Sequence, residues 1–338
     1  MAPKAFICGV SGVTLSPQEA AFFERERPCG FILFKRNIET PEQVRKLIAD
    51  VRTASAVDPM LILVDQEGGR VQRLNLPHWP RYPCARAFAE VYRSDPQAAV
   101  DCARLVARAM ASDLRDLGIN MDCAPVLDLS VSGASDVIGD RAYGETPQQV
   151  AALGRAVCEG LLTGGVLPVI KHIPGHGRAT ADSHFALPVI DTSLAELRET
   201  DFLPFSRLAD MPAAMTAHVI LSAVDPQNAV TVSQRAISEI VRGEIGYGGL
   251  LISDDLSMCA LSGRMEHRTS AALDAGCDIA LHCNGKMHEM EAVASATPVL
   301  SGESLVRFQA AVSRIGEPGV FDVTRALAVV EEMLAITV

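Results

Sequence analysis

The stretch MLILVDQEGGRVQR, Met60 to Arg73, sets an unbroken apolar run against an abrupt cluster of charge. Five apolar residues without polar alternation read as a strand buried on both faces, which is how parallel strands covered by helices are written. Working outward, the same kind of run recurs at Ala5–Val10, Gly30–Phe34, Ile119–Val126, Leu167–Ile170, Ala213–Val219, Leu250–Ile252 and Asp278–Leu281, eight in all with Met60–Val64. Helix signals stand between them. Ser16-Pro17-Gln18-Glu19, Thr40-Pro41-Glu42-Gln43, Ser94-Asp95-Pro96-Gln97, Thr146-Pro147-Gln148-Gln149 and Ser193-Leu194-Ala195-Glu196 each offer an N-cap hydroxyl with Glu or Gln three residues on. Pro at the first helical position costs nothing, because that N–H has no partner in any helix. Eight strand–helix repeats without a Pro/Ser-rich linker predict one α/β domain over residues 1–338, a (β/α)8 TIM barrel, with Leu300–Val338 as terminal helices packed outside it. The competing doubly wound sheet lacks a GxGxxG after the first run.

Composition narrows the function. The chain has 338 residues, 49% apolar and 21% charged, which suits a globular protein and excludes a disordered or collagenous one. No apolar run reaches the ~18 residues of a membrane span. The N-terminus, MAPKAFICGVSG, lacks a charged n-region, a long apolar h-region and a cleavage site, so a cytoplasmic location is expected. A net charge of −11 disfavours nucleic acid as a partner and leaves room for a local cationic pocket. Nine cysteines with no CxxC pair read as free thiols of a reducing compartment, not a disulfide or zinc framework.

In a barrel of this kind the active site lies at the C-terminal ends of the strands. Five consecutive predicted strand ends carry ionisable groups. Asp65, Glu67, Arg70 and Arg73 follow the third run; Asp128, Asp140 and Arg141 the fourth; Lys171, His172, His176, Asp182 and His184 the fifth; His218 the sixth; Asp254 and Asp255 the seventh. Any one of these could be a helix cap or a solvated loop charge. The set together is more than stability requires. Asp182 and His184 could form a dyad in which the carboxylate orients the imidazole. Asp254 could be a nucleophile or a metal ligand. Arg73, Arg141 and Lys171 could hold hydroxyl, carboxylate or phosphate oxygens.

The string KHIPGHGRATADSH, Lys171 to His184, resembles the bacterial β-N-acetylglucosaminidase branch of the family 3 glycoside hydrolases. VDQEGGRVQRL at Val64–Leu74, NMDCAPVLDL at Asn120–Leu129, IGDRAYG at Ile138–Gly144, MTAHVI at Met215–Ile220 and SDDLSM at Ser253–Met258 agree with it, over roughly Gly30 to Asn284. Departures are small: Ile173 stands for the usual Phe, and Asp140-Arg141-Ala142 for the commoner Glu-Arg-Ser. The resemblance implies a barrel enzyme that hydrolyses with retention. It implies Asp254 as nucleophile, His184 as general acid/base and Asp182 as its orienting partner. Asp65, Arg73, Arg141, Lys171 and His172 are then the groups that bind the terminal N-acetylglucosamine. The implied substrate is a muropeptide fragment, N-acetylglucosamine linked to 1,6-anhydro-N-acetylmuramic acid with or without peptide, met in cell-wall recycling.

Neither metal nor cofactor is expected, since Ile7-Cys8-Gly9 replaces the His-x-His with which barrel metallohydrolases begin. One Trp and four Tyr suit a compact pocket better than a long cleft with aromatic platforms. Successive side chains leaving a strand diverge, so Asp254 and Asp255 cannot both face the axis. The loop Gly175–His184 is expected to move and to bring His184 in when sugar binds. The alternatives are a β-glucosidase or β-xylosidase of the same family, a metal-dependent barrel hydrolase, and a catalytically silent sugar-binding barrel.

Overall fold

The computed structural model describes residues 2–183 and 186–335. Eight parallel strands close into a barrel in chain order: β1 (Lys4–Cys8), β2 (Pro28–Leu33), β3 (Leu61–Val64), β4 (Met121–Asp122), β5 (Leu167–Ile173), β6 (Ala213–Thr216), β7 (Leu250–Asp255) and β8 (Ile279–His282), which returns to β1. All eight apolar runs are strands, with differences in extent; β6, for one, stops at Thr216 short of Val219. β4 is far shorter than Ile119–Val126 because Pro125 has no N–H to give the ladder. The chain still follows β5, through Val169 N to Ala124 O and Lys171 N to Pro125 O. β5 and β7 run further than predicted and carry Lys171, His172, Asp254 and Asp255 as strand residues.

The unbroken apolar pattern has a geometric cause. Alternate residues of each strand point to opposite faces, and both faces are buried. Leu61, Leu63, Leu167, Val169, Ala213, Met215, Leu250, Ile252, Ile279 and Leu281 fill the barrel interior. Ile62, Val64, Ile170, Ala214, Leu251 and Ala280 face outward into the layer shared with the helices. Each buried Leu or Ile side chain contributes about 1.5–3 kcal/mol by leaving water. The end of the barrel where the strands begin is closed by Leu300, Phe308 and Ala311, from the helix Gly302–Val312 and the residue before it. The charged groups that line the cavity lie at the opposite end.

Helices α1 (Pro17–Glu26), α2 (Pro41–Ser55), α4 (Pro96–Leu117) and α5 (Pro147–Thr163) follow the sequence signals, with corrections; α3 (Ala85–Ser94) was not foreseen, its cap position being Cys84 without a side-chain bond. Ser16 and Glu19 form the full reciprocal box, and Thr40 and Ser193 cap through their hydroxyls. Ser94 is not a cap: it ends α3, and Asp95 caps α4 by accepting from Ala98 N. Thr146 occupies the cap position of α5 without a side-chain bond, and Gln149 turns inward to Ala89 O. The terminal helix Val323–Ala335 packs on α3 and α4. All nine cysteines are free thiols, seven of them buried. No helix among the described residues is long and apolar enough to cross a membrane.

Candidate active site

Continuing the inward parity of the strands past their apolar part reaches charge. Leu61 and Leu63 are followed by Asp65, Leu167 and Val169 by Lys171, Leu250 and Ile252 by Asp254. All three side chains line one cavity of about 170 Å3 at the C-terminal end of the barrel, together with Arg73, Arg141 and His172.

The floor of that cavity is a lattice of alternating charge. Lys171 Nζ donates to Asp65 at 2.9 Å and lies 2.6 Å from Glu67. Arg141 grips Glu67 with two parallel bonds of 2.8 and 2.9 Å, the fork geometry that suits guanidinium to carboxylate. Arg73 reaches Asp65 at 3.3 Å. Burial alone would raise the Asp65 and Glu67 carboxyls. The cations overturn this: Lys171 and Arg73 hold Asp65 well below the usual range, and Arg141 and Lys171 hold Glu67 at about 2. Burial would likewise strip Lys171 of its proton, but the two carboxylates hold it charged. Beneath the lattice Asp122 is fully buried; one oxygen accepts from Gln66 N and the other has no partner, and burial pushes its carboxyl up toward the neutral form. The turn that delivers Glu67 and Arg73 is tight. Gly68 has φ +89°, and a Cβ there would stand 2.2 Å from Pro83 O. Gln66 closes the turn by accepting from Arg73 N and Leu74 N.

Asp254 and Asp255 separate as the pleat requires. The Asp255 carboxylate is consumed by Ser257 N, Ser257 Oγ and Cys283 N, at 3.0, 2.7 and 3.1 Å. Asp254 Oδ1 accepts the Asp255 N–H at 2.8 Å, and the Asp254 N–H donates to Thr216 Oγ1. Behind them His218 is fully buried, with Nδ1 2.7 Å from Thr231 Oγ1 and Nε2–H donating to the Asp255 carbonyl at 3.0 Å. His218 thus orients the backbone that presents Asp254. Burial would raise the Asp254 carboxyl, but His218, His172 and the Asp255 N–H together pull it below its ordinary value. An ionised carboxylate therefore stands at the cavity wall.

The third part is organised by Asp128, which is buried. Its carboxylate takes His172 Nδ1 at 2.7 Å and the His176 N–H at 2.6 Å. This fixes the His172 ring, so that Nε2 remains for the cavity. Gly177 lies so close to the main chain at Leu129 that a Cβ would meet Leu129 O at 2.2 Å. Ser183 is buried and lines the cavity; Asp182 precedes it. His184 lies outside the described residues. Sequence reasoning placed Glu67 and Asp128 among the charged strand ends but gave neither a role, and gave none to Thr216 or Thr231. Glu67 carried a signal, being two positions beyond Asp65 on the same side of the chain. The two threonines carried none. Among the described residues no group of three or more His, Cys, Asp or Glu side chains is disposed to hold a metal ion.

Residues 11–317 match the glycosyl hydrolase family 3 N-terminal domain. The chain belongs to glycosyl hydrolase family 3. A β-hexosaminidase of Bordetella avium (strain 197N) is 42% identical over 286 residues, 83% of this chain and 81% of its own length. Among solved structures, native NagZ from Neisseria gonorrhoeae has a TM-score of 0.86 at 31% identity, covering all of this chain and 97% of that one. The same protein in complex with N-trifluoroacetyl-D-glucosamine gives a TM-score of 0.85 at 30% identity, with 100% and 98% coverage. The glycosyl hydrolase family 3 barrel is thus the fold, and the chain is a glycoside hydrolase.

Proposed function

We propose that the chain is a retaining exo-β-N-acetylglucosaminidase that removes a terminal N-acetylglucosamine from cell-wall fragments. The observation that carries this reading is the position of ionised Asp254 on the wall of a compact cavity whose other wall is the Asp65–Lys171–Glu67–Arg141 lattice. Carboxylates and cations in alternation suit the hydroxyls of one sugar ring, each of which donates and accepts. Asp65, Arg73, Arg141, Lys171 and His172 are assigned to that ring. The relatives named β-hexosaminidase, and the NagZ complex with an N-acylated glucosamine, favour the 2-acetamido sugar over glucose or xylose.

In the proposed mechanism Asp254 attacks the anomeric carbon as the glycosidic bond breaks, and His184 gives its proton to the departing oxygen. The product is a glycosyl ester on Asp254. His184, now neutral, takes a proton from water, which attacks the same carbon and releases Asp254. Two inversions give net retention. Asp182 orients His184. A His in place of the customary carboxylic acid can both give and take the proton. No cofactor enters. The substrate assigned is N-acetylglucosamine on 1,6-anhydro-N-acetylmuramic acid, with or without peptide, and the setting is recycling in the cytoplasm.

The test is release of a chromogenic aglycone from the β-N-acetylglucosaminide beside the β-glucoside, with and without chelator. Turnover of the N-acetyl substrate alone, indifferent to chelator and abolished in Asp254→Ala, supports the reading. Preference for the β-glucoside, or loss of activity with chelator, overturns it. If the chromogenic sugars are inert, the anhydromuramyl disaccharide is assayed directly, and failure there leaves a sugar-binding barrel.

A further inference from the structure

The segment that carries Asp182 and His184 leaves the barrel through a root that is fixed on every side. His176 N donates to Asp128 at 2.6 Å. Gly177 is pressed against the main chain at Leu129. Arg178 reaches Asp201, Thr200 and Glu196 at 2.6, 3.1 and 2.8 Å. Ala179 N bonds back to His176 O, and Ser135 N donates to Ala179 O. The chain then turns back on itself. Ser183 returns to the root and places its Oγ 3.2 Å from His176 Nε2. Both residues are buried, at 2% and 3% exposure, although they belong to a loop at the mouth of a polar cavity.

Ser183 is the residue between Asp182 and His184. What holds Ser183 therefore restrains the chain between the two residues assigned to the dyad. We propose that His176 is a positioning residue whose imidazole holds Ser183 and so positions the segment that bears the acid/base dyad. This rests on the reading of His184 as the acid/base.

The surroundings of the ring suit that task. Its other nitrogen, Nδ1, is buried without a partner. His172 stands 5.7 Å away, centre to centre, and Asp128 and Asp254 are the carboxylates that act on it. Burial, then the neighbouring His172, push its pKa down to about 4. The ring is therefore neutral at working pH and supplies no proton. Asp128 holds the His172 ring on the sugar side and the His176 backbone on the loop side, so one buried carboxylate ties sugar binding to the dyad-bearing segment.

The test separates acid positioning from mere structure. An aryl leaving group of low pKa departs without protonation, whereas a sugar or alkyl leaving group needs it. Displacing an acid by ~1 Å costs on the order of 100-fold. Ser183→Ala and His176→Ala are compared on a dinitrophenyl and an alkyl β-N-acetylglucosaminide. Expected is a fall in kcat/KM of roughly 10- to 100-fold on the alkyl glycoside and under about 3-fold on the dinitrophenyl one. The double variant should be no worse than either single one, and Ser183→Thr should restore most of the loss. Ser183→Ala removes one oxygen and keeps the assay informative if His176→Ala folds poorly. Equal losses on both substrates, or additive losses in the double variant, overturn the proposal. His184→Ala is the reference. If it discriminates between the substrates and Ser183→Ala does not, His176 has no positioning role while the acid/base reading stands. If His184→Ala itself fails to discriminate, the acid/base reading falls and takes this one with it.

Discussion

Asp254 and Asp255 are adjacent in the chain and opposite in environment: Asp254 Oδ1 accepts the Asp255 N–H at 2.8 Å beside the cavity, while the Asp255 carboxylate is satisfied by Ser257 and the Cys283 N–H. Strand pleating separates them, and the consequence is testable. Asp254→Ala should lower kcat on a chromogenic β-N-acetylglucosaminide by at least about 1,000-fold with little change in melting temperature. Asp255→Ala should lower the melting temperature, since it leaves two backbone N–H groups and a hydroxyl without an acceptor, at about 1–3 kcal/mol for each buried one. Equal effects of the two on kcat at unchanged stability would contradict this division.

Glu67 is the hub of the cationic wall, holding Arg141 and Lys171 at once. Glu67→Gln leaves two buried cations short of a partner and should cost about 3 kcal/mol of stability. It should also raise KM more than it lowers kcat, because the residues it orients are those proposed to bind the sugar. Calorimetry beside steady-state kinetics checks both. Unchanged KM would place Arg141 and Lys171 outside sugar binding.

The same carboxyl gives a sign for acid stability. Glu67 is held at about 2 against an ordinary 4.5, so its contribution is fully present above pH 4.5 and is lost as pH falls toward 2. Asp65 and Asp128, also depressed, act in the same direction. Stability of the wild type should fall steeply below about pH 4.5, and Glu67→Gln should flatten part of that slope. A parallel slope in the variant would show that other carboxyls dominate.

For activity, the depressed Asp254 carboxyl keeps the nucleophile ionised below its ordinary 3.8, so the acid limb of kcat/KM should not appear in mildly acidic solution. On the proposed mechanism the alkaline limb is that of the acid, His184. A pH profile on an alkyl glycoside should therefore lose its alkaline limb in His184→Ala and keep it in Asp255→Asn. A limb that survives in His184→Ala would point to another acid.

Gly177 permits the close approach of the loop root to the Leu129 main chain, where a Cβ would stand 2.2 Å from the carbonyl oxygen. Gly177→Ala must push the root outward and should lower kcat about 10-fold or more. Gly248→Ala, at a position open to solvent, is the control and should behave as wild type. Similar activity of the two variants would mean that the root position does not matter to the chemistry.

The barrel was legible because its signals are local. An unbroken apolar run such as Met60–Val64 reports burial on both faces, and the Ser16-Pro17-Gln18-Glu19 box forms within four residues. Errors fell where a local choice has a close competitor: Asp95 displaced Ser94 as cap because its carboxylate reaches Ala98 N and Pro96 follows it directly. Much of the site was legible for the same reason. Asp65, Lys171 and Asp254 continue the inward parity of their strands, so the residues that fill the barrel also aim its charges.

By itself, then, the sequence determined the strand–helix alternation, the end of the barrel that bears charge, and the side chains that point along its axis. The first follows from unbroken apolar runs and N-cap boxes, the others from a period of two residues along a buried strand. Partnership was decided only by the tertiary structure. Lys171 meets Asp65 across 106 residues and Arg141 meets Glu67 across 74, and Asp128 joins His172 to the root of the loop that carries Asp182. Those distances depend on how eight strands stagger as they close, and no local pattern encodes that. The same closure turns an ordinary mixture of acids and bases into a desolvated lattice, where each charge persists because its opposite is held within about 3 Å.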